Sequence, residues 1–310
     1  CRLNSLPNCS PSSVLSAAEL SLLRSVTPWS PNPGPQSQAY LSPADELYYG
    51  GAAGGGKTDL AIGKALMQHR VAFVVRKNGT EHTGMVDRLT ELLGTRDGFS
   101  SKDGIWRGAG PRGVQIEFGS LPNPKDEEKY RGRPHDLIIY DEATSLAQLQ
   151  VEFLMAWNRT TTPGQRCQTL LTFNPPSTAE GRWVIEYFAP WLDTKHPNPA
   201  MPGELRWFAV IDGQQTEMPD GAPFMHKGEL ITPRSRTFIP SRISDNPYLV
   251  GTGYMSQLQA LPEAWQVVAT NDRKFALWAS VLESKRTALQ VLFGKTSQAR
   301  TALFLGLGAN

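Results

Sequence analysis

The chain has little cysteine, no long apolar run and almost no net charge. Its three cysteines, Cys1, Cys9 and Cys167, are odd in number and form no CxxC pair. This pattern argues against a disulfide framework or a zinc site and favours a reducing compartment. Because no run of about 18 apolar residues occurs, no membrane span is predicted. The net charge of +2 shows no global basic excess, so any surface for nucleic acid must be local.

What the chain does have is an alternation of strand and helix patterns. Residues 1–30 form a Ser- and Pro-rich lead-in that we expect to be partly disordered, and 28–43 reads as extended, Pro-studded chain. A single domain is predicted over 31–263. The alternation indicates an α/β fold with a mostly parallel central sheet flanked by helices. Strands are predicted at 46–51, 72–77, 114–120, 136–143, 168–174, 206–211 and 236–240, helices at 57–69, 81–93, 145–157 and 182–188, and a loop at 190–204.

A glycine-rich stretch between the first strand and the first long helix fits the pattern GxxxxGK[ST]. Successive glycines let backbone N–H groups turn onto phosphate oxygens, and the following helix directs its positive N-terminus at them. The alternative is a flexible hinge, which does not require a strand before it and an amphipathic helix after it. The phosphate interpretation makes Lys57 the ligand of the β- and γ-phosphates and Thr58 a Mg²⁺ ligand. The loop glycines are Gly51, Gly54, Gly55 and Gly56.

The predicted strand 136–143 is apolar and ends in two adjacent carboxylates, Asp141 and Glu142. In a nucleotide hydrolase Asp141 would hold Mg²⁺, directly or through water, and Glu142 would act as the general base for the attacking water. The alternative is a core strand that ends in an acidic turn. Adjacent Asp and Glu favour the hydrolytic, RecA-like (ASCE) class of P-loop NTPase over nucleotide kinases and GTPases.

Two further segments admit more than one interpretation. Asn174, at the end of the strand 168–174, either senses the γ-phosphate or caps a turn before proline. In the segment YRGR, Arg131 or Arg133 is either an arginine finger or a solvated surface residue. The residues alone do not decide between these roles.

Four segments, in this order, closely resemble the ATPase domain of the large terminase subunit of tailed bacteriophages, the motor that pumps DNA into the capsid. They are GGAAGGGKT, RGRPHDLIIYDEAT, LTFNPP and TPRSRTFIPSRISDNPYL, and the resemblance covers about residues 31–263. It implies ATP and Mg²⁺ at Lys57 and Thr58, with Asp141 as the acidic strand-end residue and Glu142 as the catalytic glutamate. It also implies that Thr172 and Asn174 belong to a coupling motif that relays hydrolysis to DNA movement.

The resemblance further implies a trans-acting arginine, eleven residues before the catalytic glutamate, which here is Arg131. Gln36 stands where such proteins place an adenine-reading glutamine, although a plain Pro-rich loop is the alternative. The implied partners are double-stranded DNA, the portal and the small terminase subunit. The implied assembly is a homo-oligomeric ring on the capsid, in the cytoplasm of the bacterial host and away from any membrane.

The chain departs from the family in three places. Some relatives carry an arginine in the phosphate loop, where this chain has Ala53. After position 263, Asp272 and Glu283 are the acids of the remaining 47 residues, which is too few for a two-metal nuclease site, so we expect no nuclease activity from this chain. The basic tail 264–310 is expected to be an altered reading of the sequence, from truncation or frameshift. DNA contacts stay unassigned, because Arg234, Arg236 and Arg242 are typical of solvated surface as well.

Three hypotheses follow from these features. The first is a terminase-type ATPase that translocates DNA. The second is a superfamily 2 helicase, because DEAT resembles the acidic motif of that class, but such a helicase needs a second RecA-like domain. The third is a non-catalytic remnant that binds nucleotide without turnover. The intact Lys57, Asp141 and Glu142 favour an active enzyme over the third hypothesis.

Overall fold

The computed structural model describes residues 18–20, 27–51, 53–176, 178–193 and 195–260. The predicted tail 264–310 and most of the lead-in 1–30 lie outside the described residues. The helices and strands, labelled in chain order, are α1 (Pro35–Leu41), β1 (Glu46–Gly51), α2 (Lys57–Gln68), β2 (Val71–Arg76), α3 (Thr83–Leu93), β3 (Phe99–Ser100), β4 (Ile105–Ala109), β5 (Val114–Ser120), β6 (Leu137–Asp141), α4 (Gln148–Met155), β7 (Gln168–Phe173), α5 (Trp183–Tyr187), α6 (Ala189–Leu192), β8 (Arg206–Ile211), β9 (Gln214–Met218), β10 (Phe224–His226), β11 (Glu229–Ile231), β12 (Arg234–Ser241) and α7 (Tyr254–Gln259).

The described strands form a 10-stranded sheet and a separate hairpin of β10 and β11. The order in the sheet is β3-β4-β5-β2-β6-β7-β1-β12-β8-β9. The central strands, from β5 to β12 in this order, pair in parallel, and the strands at each edge pair antiparallel. The prediction of a mostly parallel sheet with flanking helices is therefore confirmed.

Hydrophobic cores lie on both faces of the sheet, as a parallel sheet requires. Every residue of β1, β6 and β7 is buried, which explains their nearly continuous apolar sequences. Side chains from alternate strand positions separate into two clusters: Tyr49 packs with residues of α2 and α3, and Tyr48 packs with residues of α4, α5 and α6. The central strands are thus held between two helical layers, and their carboxyl ends are fixed relative to one another.

The segment 28–43 is not extended throughout, contrary to the prediction. Residues Pro35–Leu41 form α1, which begins with proline at its first position and buries Gln36, Ser37 and Ala39. Proline fits the first turn of a helix, where its missing N–H has no intrahelical partner. The frequent prolines indicated extended chain, but the packing of α1 on the sheet outweighs that local preference.

The sequence interpretation also missed several elements. The segment 190–204, predicted as loop, begins within α6 (Ala189–Leu192). Strands β3, β4, β9, β10 and β11 lie at the sheet edges or in the separate hairpin, and β9 reads QQTEM with three exposed residues. Edge strands that face solvent carry no apolar run, so no strong signal marks them. Each helix in the described part of the chain is too short or too polar to cross a bilayer.

Arg236 is not the solvated residue that the sequence allowed for. It is 4% exposed, and its Nε lies 2.6 Å from Oε2 of Glu46. Its guanidinium also lies over the rings of Tyr187 and Phe208, at 3.7 and 4.4 Å from their centroids. Arg236 is therefore part of the interior at the amino end of β1, opposite to the end that carries the phosphate loop.

Candidate nucleotide-binding site

The candidate site is formed where adjacent parallel strands end. Strands β2, β6, β7 and β1 are consecutive neighbours in the sheet and parallel, so their carboxyl ends meet at one edge. In open α/β sheets this edge is where ligands bind. The glycine loop follows β1, and the two carboxylates come at the end of β6, so the topology brings together segments that are far apart in sequence.

The phosphate loop joins β1 directly to α2, which begins at Lys57. Gly51, Gly54 and Gly56 have φ of 128°, 76° and 74°, a region that favours glycine because it lacks a Cβ. Gly56 immediately precedes the first turn of the helix. The glycine pattern therefore serves a strand–loop–helix connection, and a hinge between domains does not describe it. Ala52 lies outside the described residues.

Lys57 contacts the candidate coupling motif. Its Nζ donates a hydrogen bond to Oδ1 of Asn174 at 2.8 Å. Asn174 follows β7, the strand that lies between β1 and β6. Thr58, in the first turn of α2, is half-buried. The structure thus brings the loop lysine and the strand-end asparagine of two sequence motifs into direct contact.

Asp141 is 2% exposed, and hydrogen bonds engage both of its carboxylate oxygens. Oδ1 accepts from the hydroxyl of Thr172, which is its direct partner in the register of β6 and β7. Oδ2 accepts from Nε of Arg76 at 3.0 Å. The guanidinium also donates to the backbone carbonyl of Glu81. These bonds fix Asp141 and balance its buried charge.

Sequence reasoning missed Arg76. It is the last residue of β2, and β2 lies beside β6 in the sheet, so its side chain reaches the carboxylate on the neighbouring strand. The sequence feature that could have identified Arg76 is a basic residue at the end of a predicted strand. That signal is weak, because it becomes meaningful only when the strand order is known.

Glu142 adopts the left-handed conformation, with φ of 59°. Such a conformation is uncommon for a residue other than glycine and concentrates at functional sites. The residue is exposed as a whole, yet desolvation of its carboxyl group raises its pKa above the ordinary 4.5. The charges of Asp141 and Glu81 also raise this pKa, whereas those of Arg76 and Lys57 lower it. Lys57 and Arg76 therefore lie close enough to Glu142 to act on its charge.

Solved structures of large terminases from bacteriophages resemble this chain. The large terminase of a thermophilic bacteriophage aligns with a TM-score of 0.48 and 12% identity, over 78% of this chain and 53% of that chain. The ATPase domain of the large terminase of Thermus phage P74-26 aligns with a TM-score of 0.46 and 13% identity, over 82% and 96% of the two chains. The chain is similar to large terminases of bacteriophages.

A third solved structure contains a nucleotide analogue. It is the large terminase of a thermophilic bacteriophage in complex with ATP-γ-S, and it aligns with a TM-score of 0.43 and 13% identity, over 76% of this chain and 51% of that one. The chain spans about half the length of the terminase structures from the thermophilic bacteriophage. No protein-family model and no curated protein matches the chain.

The last terminase-like segment, 232–249, returns to the phosphate loop. After β12, Ile243, Leu249 and Tyr254 pack with Ala53 of the loop. The amide of Asn246 donates to the carbonyl oxygen of Gly54 at 2.8 Å. Ala53 therefore makes a small apolar contact with this segment, and residues at the far end of the domain touch the loop directly.

Arg131 and Arg133 differ in their surroundings. Arg133 pairs with Glu117, a buried carboxylate. The side chain of Arg131 is 61% exposed and lies 3.9 Å from Glu128, with its guanidinium 5.4 Å from the ring centroid of Phe153. Arg131 therefore lies at the surface, in the connection along the chain from β5 to β6, and its guanidinium is accessible from outside this chain.

Gln36 lies beside the loop but is buried, at 3% exposure. Its Nε2 donates to the carbonyl oxygen of Gly56 at 2.9 Å, and its Oε1 accepts from the backbone N–H of Asn32 at 2.6 Å. Gln36 therefore lies beside the phosphate loop, with both groups of its amide bonded to backbone.

The oxygen donors at this edge fit Mg²⁺ in the manner of P-loop enzymes. Mg²⁺ prefers oxygen ligands and retains several waters, so one or two protein donors suffice alongside phosphate oxygens. Thr58 offers a hydroxyl and Asp141 a carboxylate. Within the described residues no group of three or more His, Cys, Asp or Glu side chains is arranged to hold a metal ion.

Proposed function

We propose that this chain is an ATP hydrolase of the large terminase type, which drives double-stranded DNA into a viral procapsid. The observation that carries the proposal is the contact between motifs at the ends of β1, β7 and β6. Lys57 Nζ lies 2.8 Å from Asn174 Oδ1, and two residues earlier Thr172 donates to Asp141. The segment 172–174 therefore makes one hydrogen bond to the phosphate loop and one to the acidic end of β6.

In the proposed reaction the backbone N–H groups of the loop and Lys57 bind the phosphates of ATP. Glu142 orients a water molecule for attack on the γ-phosphorus and accepts its proton, while the bond from the γ-phosphorus to the β–γ bridging oxygen breaks and ADP leaves. The raised pKa of Glu142 makes it a stronger base than an ordinary carboxylate. The charges of Arg76 and Lys57 oppose the effect of desolvation and favour the ionised form that a base requires.

Thr58 and Asp141 would hold Mg²⁺, which when bound neutralises charge on the β- and γ-phosphates. Both oxygens of Asp141 already accept hydrogen bonds, from Thr172 and Arg76. That arrangement favours contact of Asp141 with the ion through water, and leaves Thr58 as the direct protein ligand.

Arg76 fills the sensor role that the resemblance assigns, in some terminases, to an arginine of the phosphate loop. The loop has Ala53 at that position, while Arg76 supplies a cation to the same edge from β2. Because its guanidinium bridges Asp141 and the carbonyl oxygen of Glu81, it is held in place before nucleotide binds. A preorganised cation is worth more in the transition state than a mobile one.

Coupling starts at Lys57. Before nucleotide binds, its ammonium group is bonded to Asn174. The γ-phosphate of ATP competes with Asn174 for this ammonium group, so binding and hydrolysis change the bonding of the residue that follows β7. This exchange is the proposed first step in relaying hydrolysis to movement of DNA.

The proposed partners follow from the motif resemblance. They are double-stranded DNA, the portal and the small terminase subunit, met by a ring of identical subunits in the cytoplasm of the bacterial host. The exposed Arg131 would complete the site of a neighbouring subunit in that ring.

The test is phosphate release from ATP by the purified protein with Mg²⁺, with and without double-stranded DNA, over a range of protein concentrations. We expect turnover that double-stranded DNA stimulates and that rises faster than linearly with protein concentration. Binding of ATP without any turnover would favour the non-catalytic remnant. Turnover accompanied by strand separation would favour the helicase. No binding of ATP would refute the site itself.

The pH dependence of turnover is a second prediction. Since the pKa of Glu142 is raised, the acid limb of the kcat/KM profile should lie above 4.5, and activity should fall as the pH drops through that limb. Arg76→Met removes a charge that lowers this pKa, so it should move the limb to higher pH. Arg96→Met, whose guanidinium pairs with Asp87 on α3, is the matched control. A limb that stays in place or moves down in Arg76→Met contradicts the assignment of Glu142 as base.

A further inference from the structure

The N–H groups of the phosphate loop are proposed to bind phosphate, and its carbonyl oxygens bind side chains of the protein. Three consecutive carbonyls each accept a hydrogen bond from a side chain outside the loop. Gly54 O accepts from Asn246 Nδ2 at 2.8 Å, Gly55 O accepts from the hydroxyl of Tyr49 at 2.9 Å, and Gly56 O accepts from Gln36 Nε2 at 2.9 Å.

Holding these oxygens also orients the donors of the loop. A trans peptide unit is planar, with its C=O and N–H pointing in opposite directions. We call the side-chain hydrogen bonds to these three carbonyls the ties of the loop. A tie that holds the carbonyl of Gly54, Gly55 or Gly56 on one side of the loop therefore directs the N–H of the next residue to the opposite side. The bonds on Gly54 and Gly55 orient the N–H groups of Gly55 and Gly56. Gln36 acts on the N–H of Lys57 together with α2, because Gly56 O also accepts from the N–H of Leu60 at 3.0 Å. These three N–H groups are the ones that a phosphate needs.

The donors come from three separate parts of the chain. Gln36 belongs to α1, Tyr49 to β1, and Asn246 to the segment after β12. Gln36 is fixed in turn by the bond from the N–H of Asn32 to its Oε1. Burial raises the pKa of Tyr49, so its hydroxyl keeps the proton that it donates.

Two of the loop glycines lie close to side chains of α1 and of β12. A Cβ on Gly56 would lie 2.6 Å from Gln36 Nε2, and a Cβ on Gly55 would lie 2.4 Å from Ser241 Oγ. Both distances are shorter than real Cβ contacts allow. A Cβ on Gly55 would also lie 2.7 Å from Ser241 Cβ, so glycine leaves room there for β12. At Gly56 the φ of 74° itself favours glycine.

We infer that Gln36, Tyr49 and Asn246 are positioning residues that preorganise the phosphate loop by holding its carbonyl oxygens outward. The inference rests on the proposed function, and it gives Gln36 a role other than reading adenine. Since the ties act on the phosphate-binding groups, their loss should weaken binding of any polyphosphate, with or without a base.

The experiment compares binding of Mg-ATP and of Mg-tripolyphosphate, which has no base, by calorimetry. The variants are Tyr49→Phe, Gln36→Met and Asn246→Ala, each of which removes the donor to one loop carbonyl. Gln36→Met and Asn246→Ala also remove an acceptor, for the N–H of Asn32 and of Tyr248 respectively. Each should weaken binding of both ligands by the same factor, about 3- to 10-fold, as expected for one net hydrogen bond. The preference for ATP over GTP should not change.

Matched controls remove the same kind of bond elsewhere. Tyr140→Phe removes a buried hydroxyl that donates to the carbonyl of Val151 at 2.9 Å, and Gln150→Met removes an amide that donates to the carbonyl of Asn123 at 2.9 Å. The controls should lower the midpoint of thermal unfolding without changing affinity for either ligand. A lower midpoint with unchanged affinity in the three loop variants would mean a merely structural role.

The outcomes separate the inference from the function on which it rests. If the wild-type protein binds ATP and the three variants bind it equally well, the inference is wrong and the proposed function stands. If Gln36→Met weakens binding of ATP but not of tripolyphosphate, Gln36 reads the base and its positioning role is refuted. If the wild-type protein binds neither ligand, the proposed function fails and the inference fails with it. Asn246→Ala tests the inference even if the Tyr49 variant does not fold.

Discussion

Replacing Glu142 with glutamine should lower the rate of ATP hydrolysis by about 10²- to 10⁴-fold while ATP binding persists, because the variant keeps the side chain but loses the base. Glutamine is the appropriate replacement, since Glu142 has φ of 59°, and a β-branched residue there would add backbone strain to the lost chemistry. The measurements are phosphate release in a single turnover and the affinity for ATP.

Two further variants sharpen this test. Glu142→Asp keeps a carboxylate but withdraws it by one methylene, so it should retain a small part of the activity if the position of the base matters. Glu152→Gln, on α4, removes a carboxylate that bonds to Gln148 and should turn over ATP like the wild type. Undiminished hydrolysis by Glu142→Gln would exclude Glu142 as the base.

Arg131→Ala should lower turnover by about 10³- to 10⁵-fold, the range in which arginine fingers operate, and leave ATP binding unchanged. The side chain is 61% exposed, so its removal disturbs no core. A matched control is Arg159→Ala, because Arg159 is also exposed and lies over an aromatic ring, 4.8 Å from the centroid of Trp157.

A mixing experiment decides whether Arg131 acts on a neighbouring subunit. The Arg131→Ala protein keeps Glu142, and the Glu142→Gln protein keeps Arg131, so a mixed assembly contains sites with both groups. Turnover should reappear on mixing the two inactive proteins. If the mixture stays as inactive as its components while the wild type is active, Arg131 acts within its own chain. If Arg131→Ala alone matches the wild type, the finger is a different residue.

The sequence predicted those parts of the site that are continuous in the chain. The phosphate loop was recognisable because strand, glycines, lysine and helix follow one another between positions 46 and 68. The acidic strand was recognisable because β6 is buried on both faces and ends at Asp141. The roles given to Arg131, Thr58 and Glu142 remain predictions that the experiments above test.

The sequence did not reveal contacts that depend on strand order. Arg76 and Asp141 are 65 positions apart, and Asn246 and Gly54 are 192 apart. Neither pair is marked by any local pattern. Helix α1 was missed for a related reason, because prolines and small polar residues indicated extended chain, whereas burial of Gln36, Ser37 and Ala39 against the domain favours the helix.

By itself the sequence determined which groups are available for phosphate chemistry, because a strand, a glycine turn and a helix start are set by local backbone preferences. Only the tertiary structure decided which distant side chains hold those groups in place: Arg76 on Asp141, and Gln36 and Asn246 on the loop carbonyls. The reason is physical. Hydrogen bonds between distant segments are specified by the order of strands in the sheet and by burial on its faces, and these arise only when the whole domain packs.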